Sequence, residues 1–301
     1  MTEIVKKGFL TIPVSAKRHL LERFGVPCGG PADRILYTLA NRLVGNPDDA
    51  CALEATMVLP EIRFHEDGAI AVAGGLDRLL LRRGSETVAV PVNATVPVRA
   101  KDVLLSVPIV RGMRAYLAIL GGIRCDALRA KGVSDGQMLL TDGGRPSVLR
   151  SANALPIRIP NDEVELRVIA GVQQELFSKE GEAVFYGSAY TYTPDSSRMG
   201  IRLSGPAVAY SGGCDGNILS EGMLPGDVQI PPSGQPILML TDCPATGGYA
   251  KIAHVIAADL PLAAQLRPGA RIRFRQTDVA WAHVALRRLL LQLDACVTDR
   301  T

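Results

Sequence analysis

The sequence predicts a mainly β protein built from two domains. Short runs of apolar and β-branched residues recur along most of the chain, with glycine-rich turns at the even spacing that a barrel or sandwich shows. The chain contains 30 Gly and 20 Pro, which supply the tight turns that short strands need. Its length of 301 residues exceeds the usual size of one domain and therefore favours two hydrophobic cores.

Three helices are predicted from apolar residues at helical spacing. The first covers Ser15 to Phe24, and the second covers Ala32 to Val44 and ends at a Gly-Asn-Pro turn. Asp33 lies at the start of the second helix, where an acidic side chain suits the positive end of the helix dipole. The third and longest helix, Asp278 to Cys296, is expected to cap a core.

Strands are predicted on both sides of a polar, glycine-rich stretch from Gly121 to Ser151. Before it, the apolar runs are Ala69–Ala73, Arg78–Leu81, Thr87–Val92, Thr95–Val98, Val103–Val110 and Ala115–Ile119. After it, they include Val164–Ile169, Ala183–Tyr186, Arg198–Leu203, Val208–Tyr210, Ile237–Leu240, Ile252–Ile256 and Arg271–Phe274. We therefore expect residues 1–155 to form an N-terminal β-barrel domain with two short helices, and residues 156–301 a C-terminal β-barrel domain with a terminal helix.

Composition argues against several classes of partner. A formal charge of +3 and 5% aromatic residues give neither a basic face for phosphates nor a platform for base stacking, so no nucleic acid is expected. No apolar run has the length of a signal peptide core or a membrane span, which predicts a cytoplasmic protein without a membrane partner. The six cysteines form no CxxC pair, so we expect free thiols and no metal site.

The stretch most typical of a ligand site runs from Ser220 to Pro232 and continues from Asp242 to Lys251. Within ten positions the second segment contains a carboxylate, hydroxyl groups, an ammonium group and two adjacent glycines. Cys243 lies in this segment, but no sequence spacing places a histidine base beside it, which argues against a nucleophilic cysteine.

A set of short motifs spread over nearly the whole chain resembles one known family. The motifs are Gly8–Thr11, Phe24–Pro27, Leu39–Pro47, Leu53–Glu54, Tyr116–Ala118, Ser197–Leu203, Ser220–Pro232, Asp242–Lys251, Ala257–Leu260 and Gln265–Gly269. That family is variously called allophanate hydrolase subunit 2, the antagonist of the sporulation kinase inhibitor, the C subunit of 5-oxoprolinase, and the corresponding half of the carboxyltransferase domain of urea carboxylase. The resemblance implies cyclophilin-like β-barrels, in agreement with the strand spacing.

The resemblance also implies a function and partners. The chain would be a subunit of a two-component enzyme acting on a small amide-like substrate, either an ATP-dependent 5-oxoprolinase or a biotin-dependent carboxyltransferase. Its partner would be a subunit-1 homologue, which is allophanate hydrolase subunit 1 or a chain like the B subunit of 5-oxoprolinase. No cofactor would be bound covalently, and ATP or carboxybiotin would be supplied through partner subunits.

Within this enzyme hypothesis, Asp242 and Lys251 orient or polarise the substrate, and Tyr249 and Thr246 form hydrogen bonds to it. Gly247 and Gly248 allow close approach of the backbone. The remaining candidates are residues that match the family motifs, namely Arg198, Ser220, Glu221, Gln229 and Glu54. Each has a structural alternative: a capped turn for Asp242, a surface position for Lys251, a barrel-rim tyrosine for Tyr249, and a buried Arg–Glu pair for several of the others.

The chain departs from the family pattern in its first half, at Pro13–Lys17, at Val58–Leu59 and at Ala130–Ser134. Flexible and polar groups of the family are replaced there, so we expect the first half to have lost part of a site that the second half keeps. This loss favours the alternative function, a non-catalytic regulatory protein that binds and antagonises its subunit-1 partner.

Overall fold

The computed structural model describes residues 1–16, 24–124, 132–160 and 162–300. The helix predicted over Ser15–Phe24 lies mostly outside these residues, as do parts of Pro13–Lys17 and Ala130–Ser134. The chain divides into two compact units. Unit 1 consists of Met1–Arg18, Asp33–Ile159 and Leu290–Thr301, and unit 2 consists of His19–Ala32 and Pro160–Leu289. Each unit takes in a segment from beyond residue 155, the boundary that the sequence predicts.

The described residues are mainly strands with a few helices, which confirms the predicted fold class. The strands are β1 Thr2–Lys6, β2 Leu10–Val14, β3 Ala52–Thr56, β4 Glu61–Phe64, β5 Gly68–Gly75, β6 Leu79–Arg83, β7 Glu86–Val90, β8 Val96–Val98, β9 Val103–Leu104, β10 Arg111–Ile119, β11 Gln137–Leu139, β12 Arg150–Ala152, β13 Glu163–Ala170, β14 Ala189–Tyr192, β15 Gly200–Ser204, β16 Asn217–Gly222, β17 Asp227–Gln229, β18 Ile237–Met239, β19 Thr246–Tyr249, β20 Lys251–Val255, β21 Arg271–Gln276 and β22 Val297–Asp299. The helices are α1 Arg34–Val44, α2 Lys179–Gly187, α3 Leu260–Gln265 and α4 Val279–Cys296.

Unit 1 contains a six-stranded sheet in the order β11-β1-β4-β9-β6-β7 and a five-stranded sheet in the order β2-β3-β10-β5-β8. Apolar side chains of both sheets form one core, to which Ile62 and Leu81 contribute from the first sheet and Val72 and Leu117 from the second. Helix α1 packs on β5 and β10. Residues 69–75 of β5 are consequently all buried, which explains why this strand is a continuous apolar run in the sequence.

Asp33 is the N-cap of α1, so its role is more specific than the predicted dipole interaction. Its Oδ1 accepts hydrogen bonds from the backbone N–H groups of Ile35 and Leu36, both at 3.0 Å. Gly45 ends the helix at φ 83°, a left-handed conformation that favours glycine.

Unit 2 contains a closed barrel in the order β13-β20-β17-β18-β15-β14-β21. Strands β13 and β21 close it as a parallel pair, whereas the other neighbours are antiparallel. Its interior holds an aromatic group in which Phe185 stacks on Phe274 at 4.6 Å between ring centroids, with Tyr190 beside both rings. Strands β16 and β19 form a separate two-stranded ribbon outside this barrel.

Two strand predictions in unit 2 are wrong. Ala183–Tyr186 lies in α2, which begins where Ser178 Oγ accepts a hydrogen bond from Gly181 N at 3.0 Å. The helix packs on β21 and buries Phe185 in the barrel core, so tertiary contacts override the strand preference of this aromatic run. Val208–Tyr210 forms no strand, although Tyr210 makes an isolated β-bridge with Phe177.

Helix α4 agrees with its predicted bounds, but it buries only a narrow stripe. Ala285, Leu289 and Leu293 are buried at intervals of four residues, whereas most of its other apolar side chains are exposed. After α4, β22 pairs with β12 in antiparallel register. Arg42 Nη1 contacts Asp294 Oδ1 at 2.6 Å, which also fixes this C-terminal segment to unit 1. No helix in the described ranges combines the length and apolar character needed to cross a bilayer.

Candidate functional site

The predicted site residues of unit 2 collect around the strand pair β17 and β20. Val228 and Ala253 lie opposite each other and point into the barrel core. Because side chains alternate along a strand, Asp227 and Gln229 point to the outer face of the barrel. Across the strand pair, Asp227 lies opposite His254 and Gln229 lies opposite Lys251, with a register shift between them.

The ribbon of β16 and β19 brings the two predicted segments together. Glu221 pairs with Gly247 and Gly222 with Thr246, while a Cβ built on Gly248 would lie 3.4 Å from Ser220 Oγ. Tyr249 and Thr246 are exposed on this ribbon. Among the candidates of the second segment, Asp242 alone precedes the ribbon and lies elsewhere.

Lys251 and Glu221 form the charged centre of the site. The Lys251 side chain is only 6% exposed, so the alternative of a surface lysine is wrong. Its Nζ contacts Glu221 Oε1 and donates to the carbonyl oxygen of Gly222 at 3.3 Å. The Glu221 side chain is 40% exposed, and hydrogen bonds first from Lys251 and then from Gln173 hold its pKa below the usual value. Glu221 therefore remains an ionised carboxylate that solvent can reach.

Gln173 is a site residue that the sequence does not reveal. Its Nε2 donates to Glu221 Oε1 at 2.6 Å, and its Oε1 accepts from the backbone N–H of Lys251 at 3.1 Å. Both side-chain contacts of Glu221 thus fall on Oε1, and Oε2 has no hydrogen-bond partner within the described ranges. Gln173 lies in the loop after β13, where nothing in the local sequence distinguishes it. We refer to Gln173, Glu221 and Lys251 as the lysine cluster.

Gln229 supports the ribbon from the barrel side. Its buried side chain donates from Nε2 to the carbonyl oxygen of Tyr249 at 3.0 Å. A Cβ built on Gly247 would lie 2.7 Å from that nitrogen and 2.8 Å from Met223 Sδ. Gly247 therefore allows the close backbone approach that the sequence predicts, and here the approaching groups belong to the protein itself.

Asp242 forms a bidentate ion pair with Arg198. Arg198 Nε donates to Oδ2 at 2.8 Å and Nη2 donates to Oδ1 at 3.1 Å. Arg198 Nη2 also donates to the carbonyl oxygen of Gly30 at 2.8 Å, and Gly29 pairs with Thr241 through its backbone N–H at 2.7 Å. Both oxygens of Asp242 are thus engaged in holding the segment before α1, and its catalytic role stays a prediction.

The other motif acid, Glu54, lies in unit 1 and belongs to a buried network. Arg114 Nε lies 3.3 Å from Glu54 Oε1, and Tyr116 donates its hydroxyl to Glu54 Oε2 at 2.7 Å. The same tyrosine oxygen accepts from Asp33 N at 2.7 Å. The predicted buried Arg–Glu pair therefore exists, but it joins Glu54 to Arg114, while Arg198 pairs with Asp242.

A histidine and an aspartate at the end of the strand pair form a contact that the sequence does not reveal. His254 Nδ1 lies 2.7 Å from Asp227 Oδ1, and Asp227 Oδ2 accepts from Leu224 N at 2.9 Å. The carboxylate favours a proton on Nδ1, the ring nitrogen that faces it. Their separation of 27 residues gives no sequence signal, because they meet only through strand pairing.

Cysteine and metal chemistry receive no support at this site. Cys243 is buried, and burial raises the pKa of its thiol to about 12. Cys28, Cys214, Cys243 and Cys296 are free, but Cys51 is disulfide-bonded, so the expectation of free thiols is wrong for Cys51. Within the described ranges, no three His, Cys, Asp or Glu side chains group as metal ligands.

Comparison with known proteins places these features in a family. Residues 24–276 match the model of the carboxyltransferase domain, subdomain A and B. The chain is 32% identical to the C subunit of 5-oxoprolinase from Escherichia coli K12 over 294 residues, which cover 93% of this chain and 92% of that protein. It is 29% identical to urea amidolyase of Saccharomyces cerevisiae, covering 84% of this chain but 15% of that protein.

Among solved structures, the urea carboxylase of Kluyveromyces lactis matches with a TM-score of 0.87 and 25% identity. The match covers 97% of this chain and 29% of the urea carboxylase chain. This chain therefore corresponds to one part of the urea proteins and to nearly all of the 5-oxoprolinase component. The chain belongs to the carboxyltransferase domain family that contains subdomains A and B.

Proposed function

We propose that this chain is the C-type subunit of an ATP-dependent 5-oxoprolinase and that its lysine cluster binds the amide of the substrate. The observation that carries the proposal is the alignment with the C subunit of Escherichia coli 5-oxoprolinase, which extends over nearly the full length of both proteins. The name of that relative describes it as one subunit of its enzyme, so we propose that this chain also works with partner subunits and that a homologue of the B subunit of 5-oxoprolinase is the first of them.

The lysine cluster offers groups that match a lactam. The Oε2 atom of Glu221 is placed to accept the N–H group of the substrate, since both contacts of this carboxylate are on Oε1. The Lys251 ammonium has three donors, and Glu221 and Gly222 take two of them, which leaves one for a substrate oxygen. Gln173 holds the carboxylate in position, so little reorganisation is needed on binding.

The same cluster does not fit a nucleotide. It has one ammonium group, which is already matched by Glu221, and that exposed carboxylate would repel a triphosphate. ATP and carboxybiotin are therefore assigned to partner chains in this proposal. The residues of this chain bind and orient the amide and hold the ionised state of Glu221.

Carboxyl transfer to a small amide is the second candidate function. The family model and the fold likeness to urea carboxylase favour it, because that likeness covers 97% of this chain. Both candidate substrates present an amide N–H and C=O, so the lysine cluster would serve either one. The assay must therefore use the substrates themselves.

The test is co-expression with the neighbouring partner subunits, followed by assays of ATP hydrolysis that depends on 5-oxoproline and of glutamate formation. We expect Glu221→Gln and Lys251→Met to lower turnover by about a hundredfold. Glu86→Gln and Lys179→Met, at exposed positions away from the cluster, are the matched controls. Carboxylation of urea without 5-oxoproline turnover would establish the second candidate. Binding and inhibition of the partner without turnover of either substrate would establish the regulatory function.

A further inference from the structure

Unit 1 contains a cavity that the proposed function does not use. Its volume is about 380 Å³, and its walls come from β6, β7, β8 and the residues next to β12 and β22. Strands β7 and β8 are each the last strand of their sheet, so the cavity lies where two sheet edges meet the β12–β22 pair. A volume of this order suits a small organic molecule.

The charged residues that line the cavity are all basic. Arg83, Arg99 and Arg300 line it, and its lining includes no aspartate or glutamate. Arg83 already forms an ion pair with Asp102, with 3.0 Å between Arg83 Nε and Asp102 Oδ2. Arg99 and Arg300 make no ion pair in the part of the chain that the structure describes. Asp67 interacts electrostatically with Arg99, but the carboxylate of Asp67 forms its ion pair with Arg145, at 3.3 Å. Two positive charges therefore face the cavity with no carboxylate in its wall.

The cationic side of the cavity is held in place by the buried Asp102. Its Oδ2 accepts from Arg83 Nε and from the backbone N–H of Arg99, both at 3.0 Å. Arg83 Nη2 donates to the carbonyl oxygen of Pro97 at 2.7 Å, which ties the guanidinium to β8. These bonds fix the backbone from which Arg99 extends, and fixing it in advance reduces the ordering cost of binding.

The remaining wall is apolar. Val90, Pro91 and Leu149 contribute side chains to it, and the hydroxyl of Thr95 is already used by the backbone groups of Leu43 and Arg150. A ligand therefore meets apolar surface on one side and guanidinium groups on the other. Guanidinium groups match carboxylates and phosphates by forming paired hydrogen bonds.

We propose that this cavity binds a small organic anion, with its carboxylate or phosphate group between Arg99 and Arg300 and its apolar body against Val90, Pro91 and Leu149. The site is independent of the amide substrate, because all its residues belong to unit 1 and the lysine cluster belongs to unit 2. Binding at this site is measured directly, and its outcome does not depend on the proposed activity.

The test is calorimetric titration of the full chain with benzoate and phenyl phosphate at low ionic strength. We expect at least one of them to bind with a Kd of about 1 mM or tighter, and neutral benzamide to bind about tenfold more weakly or not at all. Preference for benzoate would identify a carboxylate ligand, and preference for phenyl phosphate would identify a phosphate ligand. Added salt should weaken binding, since the guanidinium groups are exposed.

Variants separate the charged wall from the apolar wall. Arg99→Gln and Arg300→Gln should each weaken binding of the preferred anion about tenfold, whereas Arg288→Gln on the exposed face of α4 is the control and should leave it unchanged. Leu149→Ala should weaken binding of the aromatic anions but not of acetate or inorganic phosphate. All variants should keep the parent melting temperature. Equal binding of benzamide, full binding by both arginine variants, or no binding of either aromatic anion would overturn the proposal.

Discussion

Replacing Asp242 with asparagine tests whether this residue is a scaffold or a catalytic group. The substitution would keep the size of the side chain but present a neutral amide to Arg198, where the carboxylate now accepts two hydrogen bonds at 2.8 and 3.1 Å. Losing a charge-assisted bond costs about 1.5–3 kcal/mol, and exposure of 27% for Asp242 and 12% for Arg198 favours the middle of that range, about 2 kcal/mol. At about 2–4 °C per kcal/mol for a unit of this size, Tm should fall by about 4–8 °C.

Calorimetric melting of the parent, Asp242→Asn, Arg198→Met and the double variant provides the measurement. The two single losses should not add, because both remove the same ion pair. Asp195→Asn, at an exposed position in the same unit, is the control and should melt like the parent. If Asp242→Asn instead kept the parent Tm and abolished turnover, Asp242 would be a catalytic group as the sequence predicts, and the scaffold argument would be refuted.

Three further predictions concern other sites. Glu54→Gln should destabilise unit 1 by about 3–5 kcal/mol and lower Tm by about 6–20 °C, because the buried Arg114 loses its carboxylate partner. A decrease in Tm of less than about 2 °C would contradict this. Gly247→Ala should lower the free energy of unfolding by about 1–3 kcal/mol, since the added Cβ would lie 2.7 Å from Gln229 Nε2. Gly248→Ala should cost little, because its nearest neighbour, Ser220 Oγ, is 3.4 Å away. Equal decreases in Tm for the two variants would count against the packing argument. Cys243 should resist iodoacetamide at about pH 8 in the native protein and react after unfolding, because a thiol with a pKa raised to about 12 stays protonated there; rapid native labelling would disprove it.

The helices whose apolar residues recur at regular spacing could be predicted from the sequence. The bounds of α1 and α4 follow from apolar spacing and from the residues that end each helix. Helix α2 escapes prediction because its aromatic run resembles a strand, and its formation depends on the Ser178 cap and on packing against β21. The closure of the barrel is also beyond local signals, since β13 and β21 pair across about 100 residues of chain.

The candidate site also has residues that the sequence reveals and residues that it does not. The motif residues of β16, β17, β19 and β20 can be found because they lie in two short segments, and strand pairing then brings these segments together. Gln173 cannot be found from the sequence, because it is 48 residues from Glu221 along the chain. The partner of Asp242 is equally hidden, because Arg198 is 44 residues distant. Side-chain pairing over such separations is set by the tertiary fold and leaves no mark on the spacing of either residue.

The pairing of β12 with β22 has a consequence for biosynthesis. Arg150 and Asp299, which join the two strands, are 149 residues apart. At roughly 5–20 residues per second, the ribosome delivers β22 about 7–30 s after β12. All the strands of the unit 2 barrel are synthesised within that interval. Unit 1, which begins before unit 2, is therefore completed after the unit 2 barrel, and β12 presents an unpaired edge to solvent and to chaperones until β22 has been translated.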